Sequence, residues 1–249
     1  MITLKSPQEL EKMRRAGRIV AEVLLMLREH VKPGVSTMDL ERMAMELIVS
    51  KGAKAAFPMV PGYKHALCTS INEAVVHGIP NSKRKLNEGD VLSIDCGVFI
   101  DGFFGDHAWT FPVGKVSSEK ERLLKVGEEA LSKGIDECLA GKRLFDISAA
   151  IQKHAEGSGY SVVRDYVGHG IGRELHEDPQ VPNFGIPDTG IQLKAGMVLA
   201  LEPMVNMGSY DVDVLDDGWT VVTRDRKPSV HFEHMVAIKE DGSEILSSL

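Results

Sequence analysis

The chain has 249 residues, 43% hydrophobic and 26% charged, and a formal net charge of −7. A chain of this length can bury a large core without disulfides. Its negative charge, spread without long like-charge blocks, argues against a direct function on nucleic acid or an anionic membrane surface. The three cysteines show no C-x-x-C spacing, which fits a reducing cytosol. Because no signal-peptide core or membrane-spanning run is found, we expect a cytoplasmic protein.

Four segments carry helix signals. In the first, Ser6 is the predicted N-cap, Pro7 the first helical residue and Glu9 the capping-box partner. In the third, the helix starts at Ser118, with Glu121 as its capping-box partner. The predicted helices lie at about 6–30, 36–51, 118–141 and 147–155.

The runs between the helices are rich in β-branched and apolar residues, as in strands: VLSIDCGVFI, FFGDHAWTF, SVVRDYV, MVLALEPMV, WTVVT and HFEHMVAI. Two helices followed by strands occur twice, which indicates an internal repeat. Five pairs are separated by the same 107 positions: Gly34 and Gly141, Asp39 and Asp146, Gly52 and Gly159, Gly89 and Gly196, and Asp95 and Glu202. We therefore expect one domain, residues 1–249, made of two halves, roughly 1–107 and 108–249. Duplication predicts that Asp95 and Glu202 face each other across a pseudo-twofold axis.

The apolar hairpin at 91–111 carries three aspartates. Asp101-Gly102 is typical of a two-residue type I′ loop, which explains Asp101 as a turn residue. That loop pairs Gly97 with Asp106, so Asp95 and Asp106 become diagonal neighbours on one sheet face, with Cβ atoms roughly 7–8 Å apart or less. Two such carboxylates repel each other unless a proton or a cation lies between them. From the hairpin alone, a bridging metal and a solvated sheet face both remain open.

Further ligand candidates lie in the second half of the chain. Glu202 and Glu233 are carboxylates embedded in strand patterns, where glutamate is disfavoured. The segment GHGIGRELHEDP places His169 between two glycines that allow tight turns and close backbone approach, and His176 follows it. A glycine-flanked histidine is also common in ordinary loops. Four acids and one imidazole without thiolates suit Mn, Fe(II), Co or Zn, and the surplus of carboxylates suits two bridged ions and hydrolytic chemistry.

These residues carry a family resemblance. The five metal ligands of the methionine aminopeptidases are resembled by Asp95, Asp106, GHGIG with His169, LEPM with Glu202, and FEH with Glu233. The likeness also covers NEAVVHGIP at 72–80. The likeness extends over essentially the whole chain, and its short length resembles the bacterial type I enzymes. It implies the α+β pita-bread fold: pseudo-twofold duplicated halves with a curved antiparallel β-sheet flanked by helices.

The resemblance also implies roles for the ligands. Asp95 would chelate one of two divalent ions, Asp106 and Glu233 would bridge both, and His169 and Glu202 would complete the shell of the second. A hydroxide activated by the two ions would attack the carbonyl after the first residue, with Glu202 as general base. The identity of the metal, among Co, Mn, Fe(II) and Zn, stays undecided.

By the same resemblance, His77 and His176 would position the scissile amide and stabilise the tetrahedral intermediate. Cys68, Tyr63 and Trp219 match positions that line the methionine pocket, whose outline at Val60 and Leu175 is less defined. His107 follows Asp106 directly, and strand alternation places it on the opposite sheet face, so we interpret it as structural. No role is predicted for a further set of histidines: His30, His65, His154, His231 and His234.

The predicted function is removal of the initiator methionine from nascent chains, with a preference for a small second residue. Two alternatives are an Xaa-Pro peptidase on the same fold and a non-enzymatic binding protein that kept it. We expect peptide N-termini as partners, a monomer, and no membrane or nucleic-acid function. Contact with the ribosome surface is left open.

Overall fold

The computed structural model describes residues 2–249, which form helices and short strands in alternation. The helices are α1 Pro7–Arg28, α2 Thr37–Ser50, α3 Ser118–Asp136 and α4 Leu144–Gly157, with a 3₁₀ turn at Phe57–Met59. The strands are β1 Lys54–Ala55, β2 Leu67–Ile71, β3 Ala74–Val76, β4 Val91–Ile100, β5 Phe103–Pro112, β6 Ser161–Val162, β7 Gly168–Gly170, β8 Glu177–Val181, β9 Val198–Leu201, β10 Met204–Asn206, β11 Val212–Val214, β12 Val221–Thr223, β13 Ser229–His231, β14 His234–Lys239 and β15 Gly242–Ile245. None of the helices in this part of the chain is long and apolar enough to cross a membrane.

The helix starts agree with the predicted ones except at α4, which begins at Leu144 rather than Ile147, and the predicted caps agree except at α3. Ser6 and Glu9 form the predicted capping box at the start of α1. At α3, however, the N-cap is Ser117, whose side chain accepts the backbone N–H of Lys120 at 3.4 Å. The predicted cap for this helix was therefore wrong by one residue, because two adjacent serines offer the same chemistry.

The β4–β5 hairpin has the predicted register. Asp101 and Gly102 both adopt positive φ, 53° and 83°, as a type I′ turn requires. Gly97 pairs with Asp106, so Asp95 and Asp106 lie diagonally on the same face of the hairpin. Asp101 also forms an ion pair with Arg15 of α1 at 2.7 Å. The turn aspartate is thus separated from the other two, as predicted.

All strand pairs of the described residues are antiparallel, and they are grouped in four sheets. Their orders are β1–β4–β2 with β5 beside β4, β13–β10–β6, β11–β12–β3, and β15–β14–β9–β7–β8. The β13–β10–β6 sheet and the β15–β14–β9–β7–β8 sheet are connected twice by the chain, between β9 and β10 and between β13 and β14. Glu202 and Glu233 lie at these two breaks. Glu202 directly follows the apolar strand β9, as predicted, whereas Glu233 directly precedes β14 and does not lie inside a strand.

Each half of the chain has its own large apolar core. One packs α1 and α2 against β4, and its buried members all lie between residues 16 and 113. The other packs α3 and α4 against β9 and β14, and its buried members lie between residues 123 and 238. A third cluster, which includes Met13, Phe57 and Met235, fills the space between them. The functional cavity opens beside this third cluster.

Matched turns recur at the predicted offset. Gly34 and Gly141 have φ of 89° and 95°, and their N–H groups donate to the carbonyls of Leu86 and Leu193 at 2.8 and 2.9 Å. Isolated bridges recur in the same way: Ser36 with Lys85, and Arg143 with Gln192. On these grounds we propose that the chain is one domain of two related halves.

Candidate metal centre

All residues predicted for the site line one cavity of about 140 Å³. Its walls are formed by Phe57, Val60, Tyr63, Cys68, His77, Asp95, Asp106, His169, Leu175, His176, Glu202, Trp219 and Glu233. The walls combine acids and histidines with apolar and aromatic residues. The structure thus brings together side chains from both halves of the chain.

The four acids reach the cavity from a hairpin and from two strand breaks. Asp95 and Asp106 project from β4 and β5, where they lie as diagonal neighbours and interact electrostatically. The N–H of Glu233 donates to the carbonyl of Ala108 at 2.8 Å, which places this residue beside β5. Glu202 directly follows β9. A residue at a break between two strands is not restricted to either face of a sheet, and both glutamates lie at such a break.

His169 lies on β7, a short strand, and not on the irregular backbone that was predicted. Its flanking glycines allow the close backbone approach that the sequence indicated. A Cβ at Gly168 would lie 2.4 Å from the carbonyl oxygen of Ala200, and one at Gly170 would lie 2.2 Å from that of Asp178. His169 pairs with Ala200 of β9, two residues before Glu202.

Three of the predicted ligands are already arranged as a metal site. Asp106, His169 and Glu233 are buried, and each offers a ligand atom within 4.8 Å of the others. Nε2 of His169 also lies 3.5 Å from Oε1 of Glu202. Asp95 and Glu202 keep some exposure to the cavity.

The electrostatics of this group of acids are unfavourable without a cation. Burial raises the pKa of Asp95 to about 7 and that of Glu202 to about 8. Burial, and then repulsion from the neighbouring acids, raises the pKa values of Asp106 and Glu233 well above their usual range. Burial lowers the pKa of His169 to about 3, so its imidazole is neutral, the form that binds a metal.

Unsatisfied oxygens point to the same conclusion. Oδ1 of Asp95 and Oε1 of Glu233 are buried without a hydrogen-bond partner among the described residues. Buried charges in proteins are normally paired or bound to a metal. Four carboxylates and one imidazole form a donor set suited to divalent first-row metals. The residues present therefore fit a metal centre.

The apolar side of the cavity begins directly beside this centre. Cys68 of β2 pairs in register with Asp95 of β4. Next to Cys68, Tyr63 packs edge-on against Trp219 at 5.0 Å between ring centroids, and its hydroxyl donates to the carbonyl of Leu67 at 2.8 Å. Leu175 is 7% exposed and closes another wall. This arrangement can hold one unbranched apolar side chain next to the acids.

Two further histidines, His77 and His176, line the cavity. His77 has a φ of 60°, a strained value for a residue with a side chain, and its ring packs edge-on against Tyr166 at 5.5 Å. His176 packs edge-on against the ring of His169 at 4.5 Å. Burial lowers the pKa of His77 to about 4, so this imidazole is neutral and can donate one hydrogen bond.

Sequence reasoning missed two residues of this region. Phe57, on the 3₁₀ turn, lines the cavity, and no sequence signal marked it. His231 is 2% exposed, and its Nε2 lies 3.5 Å from Oε2 of Glu202. Its position two residues before the predicted ligand Glu233 was the only sequence signal for it.

His107 has the structural position that was predicted for it. Its Nδ1 donates to the carbonyl oxygen of Glu233, and its ring stacks on His234 at 4.5 Å between centroids. His107 does not line the cavity. Its hydrogen bond fixes the backbone of Glu233, a predicted metal ligand.

Comparison with known proteins identifies the family. The profile of Metallopeptidase family M24 matches residues 11–240. A methionine aminopeptidase from Clostridium perfringens is 53% identical over 247 residues, which cover 99% of both chains. The chain belongs to the methionine aminopeptidases of metallopeptidase family M24. The family predicted from the sequence, its bacterial type I form, the pita-bread fold and the enzyme class, a hydrolase, are thereby confirmed.

Solved structures of a methionine aminopeptidase and of a prolidase share this fold. The crystal structure of a methionine aminopeptidase from Thermotoga maritima is 46% identical, with a TM-score of 0.99 and full coverage of both chains. A prolidase from Pyrococcus furiosus has a TM-score of 0.79 at 22% identity, and the match covers 65% of its length. The second likeness shows the fold alone.

Proposed function

We propose that this chain removes the N-terminal methionine from polypeptides, with a preference for a small second residue. The proposal is supported by the direct contact between the apolar pocket and the acid cluster, since Cys68 of the pocket pairs in register with Asp95 of the cluster. A side chain held in that pocket brings the backbone of the first residue beside the acids. Hydrolysis then falls after the first residue, as an aminopeptidase requires. We further propose that the substrates are nascent chains in the cytoplasm.

The five clustered residues Asp95, Asp106, His169, Glu202 and Glu233 would hold two divalent ions. When bound, such ions polarise a carbonyl and lower the pKa of a water nucleophile. Their identity, among Mn, Fe(II), Co and Zn, does not follow from the donor atoms.

The remaining chemistry belongs to protein side chains. We assign proton transfer to Glu202, because its carboxylate lies on the cavity wall and approaches His169, another proposed ligand, at 3.5 Å. We propose that the neutral imidazole of His77 and the ring of His176 hydrogen-bond to the scissile amide and to the developing oxyanion. Tyr63, Cys68, Leu175 and Trp219 would bind the methionine side chain, since thioethers pack well against aromatic and soft groups.

A metal titration tests the proposal. Metal-free protein is titrated with Mn²⁺, Fe²⁺, Co²⁺ or Zn²⁺, and cleavage is measured for peptides that begin Met-Ala, Met-Leu, Leu-Ala and Ala-Pro. We expect Met-Ala to be cleaved fastest with at least one metal and Met-Leu much more slowly. Cleavage of Ala-Pro alone would replace the methionine assignment by an Xaa-Pro activity. Absence of cleavage with every metal would favour a binding protein.

A single substitution tests the proton-transfer role. Glu202→Ala should abolish turnover of the Met-Ala peptide, whereas Glu240→Ala, a change at an exposed residue next to β14, should leave it unchanged. Near-normal kcat in Glu202→Ala would exclude Glu202 as the general base.

A further inference from the structure

The N-terminal segment, residues 2–5, belongs to the first half of the chain but lies against the second half. Ile2 packs on the core formed by α3 and α4. The N–H of Lys5 donates to the carbonyl of Gly196 at 2.7 Å, just before β9. Lys5 is only 7% exposed, which is unusual for a lysine unless its charge is paired.

The partner of Lys5 is Glu177. Nζ of Lys5 donates to Oε2 of Glu177 at 2.5 Å and to the carbonyl of Thr3 at 3.1 Å. The other oxygen of Glu177, Oε1, accepts the backbone N–H groups of Arg173 at 2.7 Å and Glu174 at 3.3 Å. One carboxylate therefore connects the N-terminal segment to a turn in the second half of the chain, with Lys5 and Glu177 separated by 172 positions.

The turn that Glu177 holds is part of a loop, residues 172–177, that follows β7 and ends at the first residue of β8. This loop carries Leu175 and His176, which both line the cavity. Gly172 leaves the space through which Lys5 passes, since a Cβ there would lie 2.5 Å from Cε of Lys5 and 2.6 Å from Oε1 of Glu177. A second link to the same loop, the ion pair of Arg173 with Glu9, is more exposed, with Arg173 at 63%.

We propose that Lys5 and Glu177 form a positioning pair, which fixes the 172–177 loop so that His176 presents its ring to the scissile amide. The two residues touch neither substrate nor acids and act only through the loop. The proposal rests on the proposed aminopeptidase function for its kinetic consequence. A displacement of a catalytic group by about 1 Å can cost roughly 100-fold in rate, so a loop without its anchor is expected to be a poor catalyst.

The kinetic test compares Lys5→Met, Glu177→Gln and the double variant at saturating metal with a Met-Ala peptide. We expect kcat to fall about 10- to 100-fold with a smaller rise in KM, because Leu175 lies on the same loop whereas Tyr63, Cys68 and Trp219 stay in place. The double variant should be no slower than the slower single variant, because the two residues act as one unit.

Arg14→Met is the matched control. It removes another ion pair of the N-terminal region, Arg14 with Glu244 at 2.5 Å, which leaves the 172–177 loop untouched. Thermal midpoints are measured for all variants. If Arg14→Met loses as much stability as Lys5→Met and also as much kcat, the effect is one of stability and the positioning role is refuted. Wild-type kcat in Lys5→Met refutes it as well.

Amide hydrogen exchange tests the loop without reference to activity. The N–H groups of Arg173 and Glu174 should exchange at least about 10-fold faster in Lys5→Met than in the wild type, with no such change in Arg14→Met. Unchanged exchange overturns the positioning pair even if the enzyme is active. A wild-type protein that cleaves no peptide overturns the proposed function, and the exchange measurement then still decides the role of Lys5.

Discussion

Nε2 of His231 lies 3.5 Å from Oε2 of Glu202, in the protein wall behind the cavity. The main chain of His231 is held on both sides by Thr110, whose hydroxyl accepts its N–H at 2.9 Å and donates to its carbonyl at 2.8 Å. The ring nitrogen itself is buried without a hydrogen-bond partner. A small movement of Glu202 would make this contact a hydrogen bond that orients the carboxylate.

The first prediction follows from that geometry. His231→Phe keeps a ring but removes the donor, so we expect kcat to fall about 10- to 100-fold, the usual effect of removing an outer-shell partner of a metal ligand. His231→Gln, whose amide nitrogen reaches the position of Nε2, should keep most of the activity. Steady-state kinetics at saturating metal measure both. Equal losses in the two variants would show that packing, and not the donor, matters.

The second prediction concerns metal binding and stability. A divalent ion that binds only the folded state stabilises it, by about 2.7 kcal/mol at a concentration 100 times the dissociation constant. Asp106→Asn removes one buried carboxylate of the cluster at nearly constant volume. We expect this variant to be more stable than the wild type in EDTA, because repulsion among the acids falls, and to gain much less stability from Mn²⁺. Thermal unfolding with and without metal measures both effects, and an undiminished gain from Mn²⁺ would contradict the assignment of Asp106.

The third prediction is the pH dependence of the metal-free protein. The pKa values of Asp95 and Glu202 are raised by burial to about 7 and about 8, above the unfolded values of about 3.9 and 4.3. Between these limits the folded state binds more protons than the unfolded state, so the free energy of unfolding decreases as pH rises from about 4 to about 8. Each such group contributes up to about 1.4 kcal/mol per pH unit.

Denaturant unfolding in EDTA at several pH values measures this slope. Glu202→Gln should reduce it, because one of the titrating groups is removed. With Mn²⁺ present the trend should reverse, since the metal binds deprotonated ligands. A flat profile in EDTA would mean that the acids are more solvated than their burial indicates.

The fourth prediction concerns Phe57 and the strand behind it. A Cβ at Gly97 would lie 2.7 Å from Cε1 of Phe57 and 2.9 Å from Cβ of Ala56. Gly97→Ala should therefore displace Phe57 in the cavity wall, raise KM for a Met-Ala peptide and cost about 1–3 kcal/mol of stability. Gly157→Ala is a suitable control, because a Cβ there would meet nothing within 4 Å. If the two variants behave alike in KM and in urea unfolding, Phe57 does not shape the pocket.

Local chemistry let the sequence predict much of this protein. A capping box needs only four consecutive residues, and a two-residue turn sets the register of the strands on either side of it. The cap at Ser6 and the pairing of Gly97 with Asp106 could therefore be derived without any tertiary information. Even the error at α3 was local, since Ser117 and Ser118 compete for the same position.

Only the tertiary structure decided which residues surround the acids and how they are held. The contact of Glu202 with His231, the support of Glu233 by His107 and the link from Lys5 to Glu177 all join distant segments. Such contacts depend on how several packed elements meet, and no periodicity or cap in one segment encodes them. The amino-acid sequence thus determined which side chains can bind a metal and which turns present them, while the packing of the two halves decided their neighbours, their burial and hence their pKa values.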